Sequence, residues 1–315
     1  MFKAEKFIEE TIAKLKEEIT GKALIAFSGG VDSTVCAALV NKAIGKRLVA
    51  VHVDTGYMRK DESENVKKLM EKIGLNYHFI DASKEFYAAL KGVEDPEKKR
   101  KIIGEKFIRV FEKVAEKEKV EYLVQGTIAP DWIESGGELR DTIKSHHNVG
   151  GLPEKMKLKL VEPLRDLYKD EVRKVARIQK LPVAERQPFP GPGLAIRIIG
   201  EATSERTKIV REACYIVESE IESAVKKGLM EMPWQYFAVL LPIKSVGVQG
   251  DKRAYGYVIA VRAVHSIDAM TCAYSKIPHE VIDKISTHIT NAMKEKVNRV
   301  VYDITNKPPS TVEWE

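Results

Sequence analysis

The stretch Lys22-Ala23-Leu24-Ile25-Ala26-Phe27-Ser28-Gly29-Gly30-Val31-Asp32-Ser33 decides the fold. An apolar run ends in a short glycine loop, and a helical pattern follows from Thr34 to Lys42. Strand, tight loop and helix in that order make the helix N-terminus an anion site. Backbone N–H groups of the first turn have no intrahelical acceptor, and the helix dipole adds partial positive charge. Two glycines let the main chain approach an oxyanion without a Cβ in the way. Ser28 and Ser33 add hydroxyl donors, so the loop reads as a phosphate cradle. A plain Gly-Gly turn, capped by Asp32 and Ser33, is the simpler alternative, since both residue types favour helix starts.

Reading outward, the first helix carries Ile8, Ile12, Leu15 and Ile19 as one apolar stripe. Leu48 to Val53 is a continuous apolar strand of the kind buried in a parallel sheet. Asp61 with Glu64 predicts a capping box opening a helix to Ile73. Tyr77 to Ile80 is a third strand, Pro96 to Glu118 a long helix, and Tyr122 to Gln125 a fourth strand. Strands alternating with helices predict an α/β fold with a doubly wound, mostly parallel sheet. Ligands of such sheets bind at the carboxyl ends of the strands, where Ser28–Ser33, Asp54–Arg59 and Gln125–Thr127 fall. Periodicity fails over about residues 129–160, a length typical of a functional lid. Asp170 to Lys180 is helical again. Three prolines and two glycines in Gln187-Pro188-Phe189-Pro190-Gly191-Pro192-Gly193 then interrupt regular structure. The expected division is therefore residues 1–187 and a smaller α+β domain over residues 188–315. In the second domain a helix is predicted from Thr203 to Lys227. Strands follow at Phe237–Leu241, Val246–Gln249 and Gly256–Val264. A helix bearing Val281, Ile285, Ile289 and Met293 and a last strand, Asn298–Ile304, complete it.

Composition bounds the function. A chain of 315 residues with 44% hydrophobic content supports two cores. No apolar run approaches the ~18 residues that suggest a membrane span, and Glu5, Glu9 and Glu10 in the first helix argue against a signal peptide. The expectation is a cytoplasmic protein that uses no membrane. Cys36, Cys214 and Cys272 are widely spaced, which predicts neither a disulfide framework nor a zinc site. A net charge of +6 suits a phosphorylated substrate without requiring one. The charge runs Glu94–Arg109 and Glu112–Lys119 read as solvated helix faces.

The loop lacks the lysine of a Walker motif, because none occurs between Phe27 and Asn41. It resembles instead the signature of the ATP pyrophosphatases, which cleave ATP between the α- and β-phosphates. A carboxylate in an anion site repels phosphate unless a cation lies between them, so Asp32 is read as a Mg²⁺ ligand. Further segments narrow the resemblance: Ile143-Lys144-Ser145-His146-His147-Asn148, Leu160–Arg165 with Lys169–Arg173, Pro188–Arg197, and Asn298–Glu315. In order and over essentially the whole chain, these are similar to the ATP-pyrophosphatase part of the GMP synthase family. The resemblance implies ATP-dependent amination of XMP through an adenylated intermediate, with ATP as co-substrate and Mg²⁺ as cofactor.

Site residues follow from that resemblance. Ser28, Gly29, Gly30, Val31, Asp32 and Ser33 would hold pyrophosphate, and the strand end from Val53 to Gly56 would border adenosine. Asp131, Glu134, Lys144, His146 and His147 in the lid would serve adenylation and amination. On spacing alone His146-His147 are two exposed loop histidines. Arg299, Lys307, Thr311 and Glu313 would bind XMP, with Gln187, Arg262 and Glu315 as further nominees. Arg262 equally suits a strand-surface cation. The types fit, since two cations suit a phosphate and a carboxylate accepts from ring N–H groups.

The family resemblance also implies a homodimer through the second domain. No cysteine lies on a glycine-flanked strand-to-helix elbow, so a glutaminase nucleophile is not expected in this chain. With only some twenty residues before the loop, the reading assigns ammonia supply to a separate glutaminase subunit. A tRNA-thiolating enzyme with the same loop would need a catalytic cysteine pair or an RNA-binding appendage, and neither motif is present. A non-catalytic nucleotide-binding regulator would not need so complete a loop and lid.

Overall fold

The computed structural model describes residues 2–129, 158–183, 187–249, 252–266 and 270–315. The chain forms two compact units. One comprises Met1–Asp54, Asp61–Ala82 and Lys101–Gly191, and the other Thr55–Lys60, Ser83–Arg100 and Pro192–Glu315. The second unit thus takes two segments from the first half of the chain, which no shift in composition marks.

The first unit is built on a five-stranded, all-parallel sheet. Its strands are β1 (Ala23–Ala26), β2 (Leu48–Asp54), β3 (Asn76–Asp81), β4 (Tyr122–Val124) and β5 (Lys159–Val161), ordered β3-β2-β1-β4-β5. Strands β2 and β4 both pair with β1, with Ala23 opposite Leu48 on one side and Tyr122 on the other. The chain winds outward to β3 and returns across β1 to β4. The strand order therefore reverses beside β1, which is where doubly wound sheets bind ligands. The expected parallel α/β sheet is present, with β5 added at one edge.

Helix α1 (Ala4–Glu18) buries Ile8 and Leu15 and leaves Ile12 partly covered, as its stripe predicts. Helix α2 (Val31–Ile44) is buried on nearly every face, from Val35 to Val40. It packs against α1, β1, β2 and α6 (Lys169–Ile178), so a helix apolar all round is what this position requires. Helix α3 (Glu62–Ile73) starts differently from expectation. Asp61 takes a left-handed conformation (φ 57°) and its side chain makes no capping hydrogen bond. Asp tolerates that region through its short polar side chain, so the residue ends a turn rather than forming the box. Helix α4 (Ser83–Ala89) follows β3, and the long helix α5 (Pro96–Glu118) has the predicted bounds.

In the second unit α7 (Ser204–Lys226) is capped by Thr203, whose side chain accepts from the Arg206 N–H. It packs on β6 (Gln235–Gln249). The two strands expected between Phe237 and Gln249 are one, with a register shift between Leu240 and Lys244. Pro242 lies inside that shift. It cannot donate to the ladder, so the sequence pattern breaks there while the backbone stays extended. Strand β7 (Lys252–His265) pairs antiparallel with β6 and with β8 (Ala273–Tyr274), and parallel with β9 (Val297–Asp303). Helix α8 (His279–Ala292) buries Val281, Ile285 and Ile289 at the predicted spacing. Among the described residues no helix is long and apolar enough to cross a membrane.

Candidate active site

The loop after β1 is held from beneath. The Phe27 N–H donates to the Val51 carbonyl at 2.8 Å, and the buried His52 ring places Nδ1 2.8 Å from the Phe27 carbonyl. A carbonyl only accepts, so Nδ1 carries the proton there. Beyond Phe27 the chain turns through Gly29 at φ +75°. Ser28 Oγ accepts from the Gly30 N–H at 3.2 Å and lies 2.9 Å from Ser33 Oγ, which donates to the Gly30 carbonyl at 3.2 Å. Gly30 caps α2 without a side chain, so the N–H groups of Val31, Asp32 and Ser33 have no partner within the helix. The residues Ser28 to Ser33 form one hydrogen-bonded turn between the end of β1 and the start of α2.

Strand β4 leads to the same place. A Cβ built on Gly126 would lie 3.3 Å from the Asp32 carbonyl carbon and 3.4 Å from its Cβ, so glycine permits this close approach. Three buried polar atoms around the turn lack a hydrogen-bond partner: Asp32 Oδ1, Thr34 Oγ1 and Thr127 Oγ1. Buried polar atoms are usually paired, so these three oxygens beside the turn are open to a partner from outside the protein. Cys36 lies beneath, its thiol donating to the Gln125 carbonyl at 3.5 Å. Burial and then the nearby Asp32 charge push that thiol well above its ordinary range.

The cation absent from the loop arrives from elsewhere. Lys169 Nζ donates to Asp32 Oδ2 at 2.5 Å. Lys169 opens α6, whose first turn is fixed by Glu171 accepting from the Tyr168 N–H at 3.0 Å. Reading the residues one by one missed Lys169, because nothing local links it to a loop 137 positions earlier. The only signal was its place in the segment Lys169–Arg173. Val53, nominated beside adenosine, is buried in β2 opposite Ile80. Asp131, Glu134, Lys144, His146 and His147 lie outside the described residues.

The nominated residues of the second unit are organised by buried cations. Arg262 is not a strand-surface cation. It is fully buried and pairs with Asp303 at 3.1 Å. It also donates to Ser310 Oγ and to the carbonyls of Thr305, Thr311 and Val312. Arg197, also buried, binds Glu313 through two N–H groups, and Gln235 Nε2 donates to the same carboxylate at 2.8 Å. Glu315 is engaged by the buried Lys99, whose ammonium also donates to the Ile198 carbonyl at 2.7 Å. Thr311 Oγ donates to the Glu313 carbonyl, and Lys307 exchanges main-chain hydrogen bonds with Cys272 at 2.8 and 3.1 Å. Arg299 is exposed and donates to Ser245 Oγ at 3.3 Å. It lies four positions before Asp303 on β9, roughly 13 Å along the strand at ~3.3 Å per residue. Within one chain, then, Arg299 sits at the far end of β9 from the tail that Arg262 anchors. Gln187 is half-buried and belongs to the first unit.

Comparison with known proteins covers both units. Residues 1–129 match the NAD synthase family model, and residues 222–314 match that of the GMP synthase C terminal domain. Curated relatives extend over the full length. A Methanopyrus kandleri protein, named as one subunit of GMP synthase (glutamine-hydrolyzing), is 59% identical, covering 100% of both chains. The Pyrococcus horikoshii protein of the same name is 59% identical over 98% of this chain and 99% of its own. GMP synthase (glutamine-hydrolyzing) of Thermotoga petrophila is 58% identical over 98% of this chain, but only 62% of the relative is covered. With identity this high along its whole length, the chain belongs to the GMP synthase family.

Proposed function

We propose that this chain aminates XMP to GMP at the expense of ATP, as the synthetase partner of a separate glutaminase subunit. The observation that carries this reading is the end-to-end match to relatives named as one subunit of GMP synthase, with the Ser28–Ser33 turn intact. In the first step the xanthine O2 bonds to the α-phosphorus, and the α–β anhydride bond breaks to release pyrophosphate. In the second, ammonia adds at C2, AMP departs with the former O2, and a proton is lost. Adenylation is needed because an amide-like oxygen leaves poorly.

The turn suits the leaving pyrophosphate. The unpartnered N–H groups of α2 and the hydroxyls of Ser28 and Ser33 supply donors without a reorganisation cost. Mg²⁺ fits the orphaned Asp32 Oδ1. This hard cation takes oxygen ligands and is often held by only one or two carboxylates plus substrate phosphates. When bound, the metal would neutralise phosphate charge and polarise the α-phosphoryl group. Glu313 is assigned to the purine base, and Arg299, Lys307 and Thr311 to the XMP phosphate and its surroundings. Gln187 is a further nominee for XMP. Lys144, His146, His147, Asp131 and Glu134 are assigned to the adenylation and amination steps.

Ammonia supply from another chain is supported by the cysteines. Cys36, Cys214 and Cys272 are all buried. Burial pushes the Cys214 thiol up to about 11, and that of Cys36 higher. A glutaminase nucleophile needs an accessible thiolate, which these settings oppose. The longer Thermotoga relative carries additional chain beyond the matched part, room enough for a fused partner. Two further parts of the reading are a cytoplasmic location and a homodimer. The dimer is supported by the outer half of the β6–β7 ribbon, which exposes Ile243, Val246, Val248 and Tyr255.

The test supplies the purified chain with ATP, Mg²⁺ and XMP, and either ammonium or glutamine. GMP, AMP and pyrophosphate in equal amounts with ammonium alone are expected. Pyrophosphate release without XMP, or GMP formed from glutamine by this chain alone, would overturn the assignment. Light scattering at micromolar concentration should give twice the chain mass, and a fully active monomer would reject the dimer.

A further inference from the structure

We infer that a cavity at the C-terminal ends of α2, α3 and α6 binds an adenine nucleotide, with the base on Gln179 and the phosphates on Lys42, Lys72 and Lys180. None of these residues belongs to the Ser28–Ser33 turn, and the site stands whether or not the chain makes GMP.

The cavity measures about 180 Å³ and lies wholly within the first unit. An apolar cavity of about 150 Å³ accepts a single benzene ring, so this one has room for one planar base while the phosphates stay at its mouth. Ala38, Leu69, Ile73 and Leu181 supply apolar walls. From Val31 to Asn41 α2 rises about 15 Å at ~1.5 Å per residue, which puts the cavity at the far end of that helix from the Ser28–Ser33 turn.

Gln179 makes the cavity more than a packing gap. It follows α6 and lines the space, and both Oε1 and Nε2 are buried without a hydrogen-bond partner. Buried amides are usually paired, and this one carries a donor and an acceptor side by side. Turning the amide toward a ligand is a rotation about its last side-chain bond, a soft torsion. An adenine edge offers the complement, an amino donor beside a ring-nitrogen acceptor, and glutamine pairs with it through two hydrogen bonds. Guanine presents two acceptors on that edge and leaves the amide oxygen unpaired.

The rim supplies charge. Lys42, Lys72 and Lys180 are exposed, and among the described residues none of them pairs with a carboxylate. A lysine in a last turn also offsets the helix dipole, which accounts for Lys42 and Lys72 taken singly. Lys180 differs. Its φ is +54°, positive as at Gly45 and Gly74, which follow α2 and α3. Glycine suits that conformation best, yet α6 is followed there by a third cation facing the same cavity. Three point charges on flexible stems suit a di- or triphosphate.

The test maps lysine acetylation by mass spectrometry on the full chain. ADP is the probe, since it is neither substrate nor product of the proposed reaction. Acetylation of Lys42, Lys72 and Lys180 should slow by the factor 1 + [ADP]/Kd, about threefold at twice the Kd. Lys6, exposed on α1, should react as before. Gln179→Leu keeps most of the volume and removes two unpaired buried polar atoms, so it should melt no lower than wild type. Its apparent Kd for ADP at the three lysines should rise about tenfold, and GDP on wild type should be weaker than ADP by a similar factor. Pyrophosphate protecting as well as ADP, or a Gln179→Leu chain protected like wild type, would show that no base is read and would overturn the adenine assignment. If ADP leaves all three lysines unprotected, or protects Lys169 alone, the cavity is not a nucleotide site.

Discussion

Lys169 Nζ lies 2.5 Å from Asp32 Oδ2, so the one carboxylate in the anion turn is neutralised by a cation from the start of a distant helix. The contact uses Oδ2 and leaves Oδ1 buried and unpartnered. Lys169 therefore offsets the charge of Asp32 without closing the other oxygen to a metal. When phosphate enters, the same ammonium is within a side chain's swing of a stronger anion, and a flexible lysine can follow it as a point charge. We expect Lys169→Met to fold normally, since the side chain is 42% exposed. Its rate of XMP-dependent pyrophosphate release should fall about 100-fold, or ~2.7 kcal/mol of transition-state stabilisation. Asp32→Asn should lose more. A Lys169→Met enzyme with over half of wild-type activity would show that the pair is only structural.

Gly126 offers a test of the turn that touches no polar group. A methyl there would lie 3.3 Å from the Asp32 carbonyl carbon and 3.4 Å from its carbonyl oxygen. Backbone cannot swing away as a long side chain can, so the turn must shift by a few tenths of an ångström. Small misplacements of a positioned group cost rate out of proportion to their size. Gly126→Ala should lower kcat for pyrophosphate release by about tenfold while leaving thermal stability nearly unchanged. Unaltered kinetics would mean that the turn's geometry is not critical.

Much of this was legible in the sequence, and the failures have physical causes. The strand–turn–helix unit around Ser28–Ser33 was readable because propensity, glycine placement and apolar pattern agree over a short range. Strand β5 was not, because three residues with exposed Lys159 and Leu160 carry too little pattern. The break at Pro242 mimicked a loop, since a missing N–H and a lost ladder bond look alike in sequence. Arg262 shows the harder limit. A lone arginine in a strand is ambiguous until its acceptors are known, and these acceptors are mostly main-chain carbonyls that any sequence would supply. Lys169 failed for another reason, a pairing across the chain with no local trace.

Arg262 also predicts how the C-terminal tail is kept. Its guanidinium is the shared donor for Ser310 and for the carbonyls of Thr305, Thr311 and Val312, besides its pairing with Asp303. Arg262→Met would keep most of the volume but leave a carboxylate and several acceptors unpaired. Removing one partner of a buried pair typically costs roughly 3–5 kcal/mol. The expected outcome is a lower denaturation midpoint and rapid digestion of the last residues by carboxypeptidase, which wild type resists. A tail equally resistant in both proteins would show that Arg262 does not hold it.

The last prediction concerns acid stability and the C-terminal end of α5. Glu118 is the final residue of that helix, where a carboxylate opposes the dipole. It is nonetheless held below its ordinary range, first by the hydrogen bond from Lys22 at 3.0 Å and then by that from His78 at 2.9 Å. A carboxylate whose folded value is depressed contributes stability above its unfolded value of about 4.5. That contribution is lost as pH falls through the lower folded value, because the unfolded chain takes up the proton more readily. The pair is partly solvated, with Lys22 47% exposed, so its worth is below about 1 kcal/mol. Glu118→Gln should therefore melt slightly below wild type at about pH 5, and the gap should close as the pH approaches about 3. Added salt should narrow the gap at about pH 5, since the Lys22 side of the pair is open to screening. A difference in melting temperature that stays constant from about pH 5 to about pH 3 would mean that the glutamate contributes by packing and not by charge.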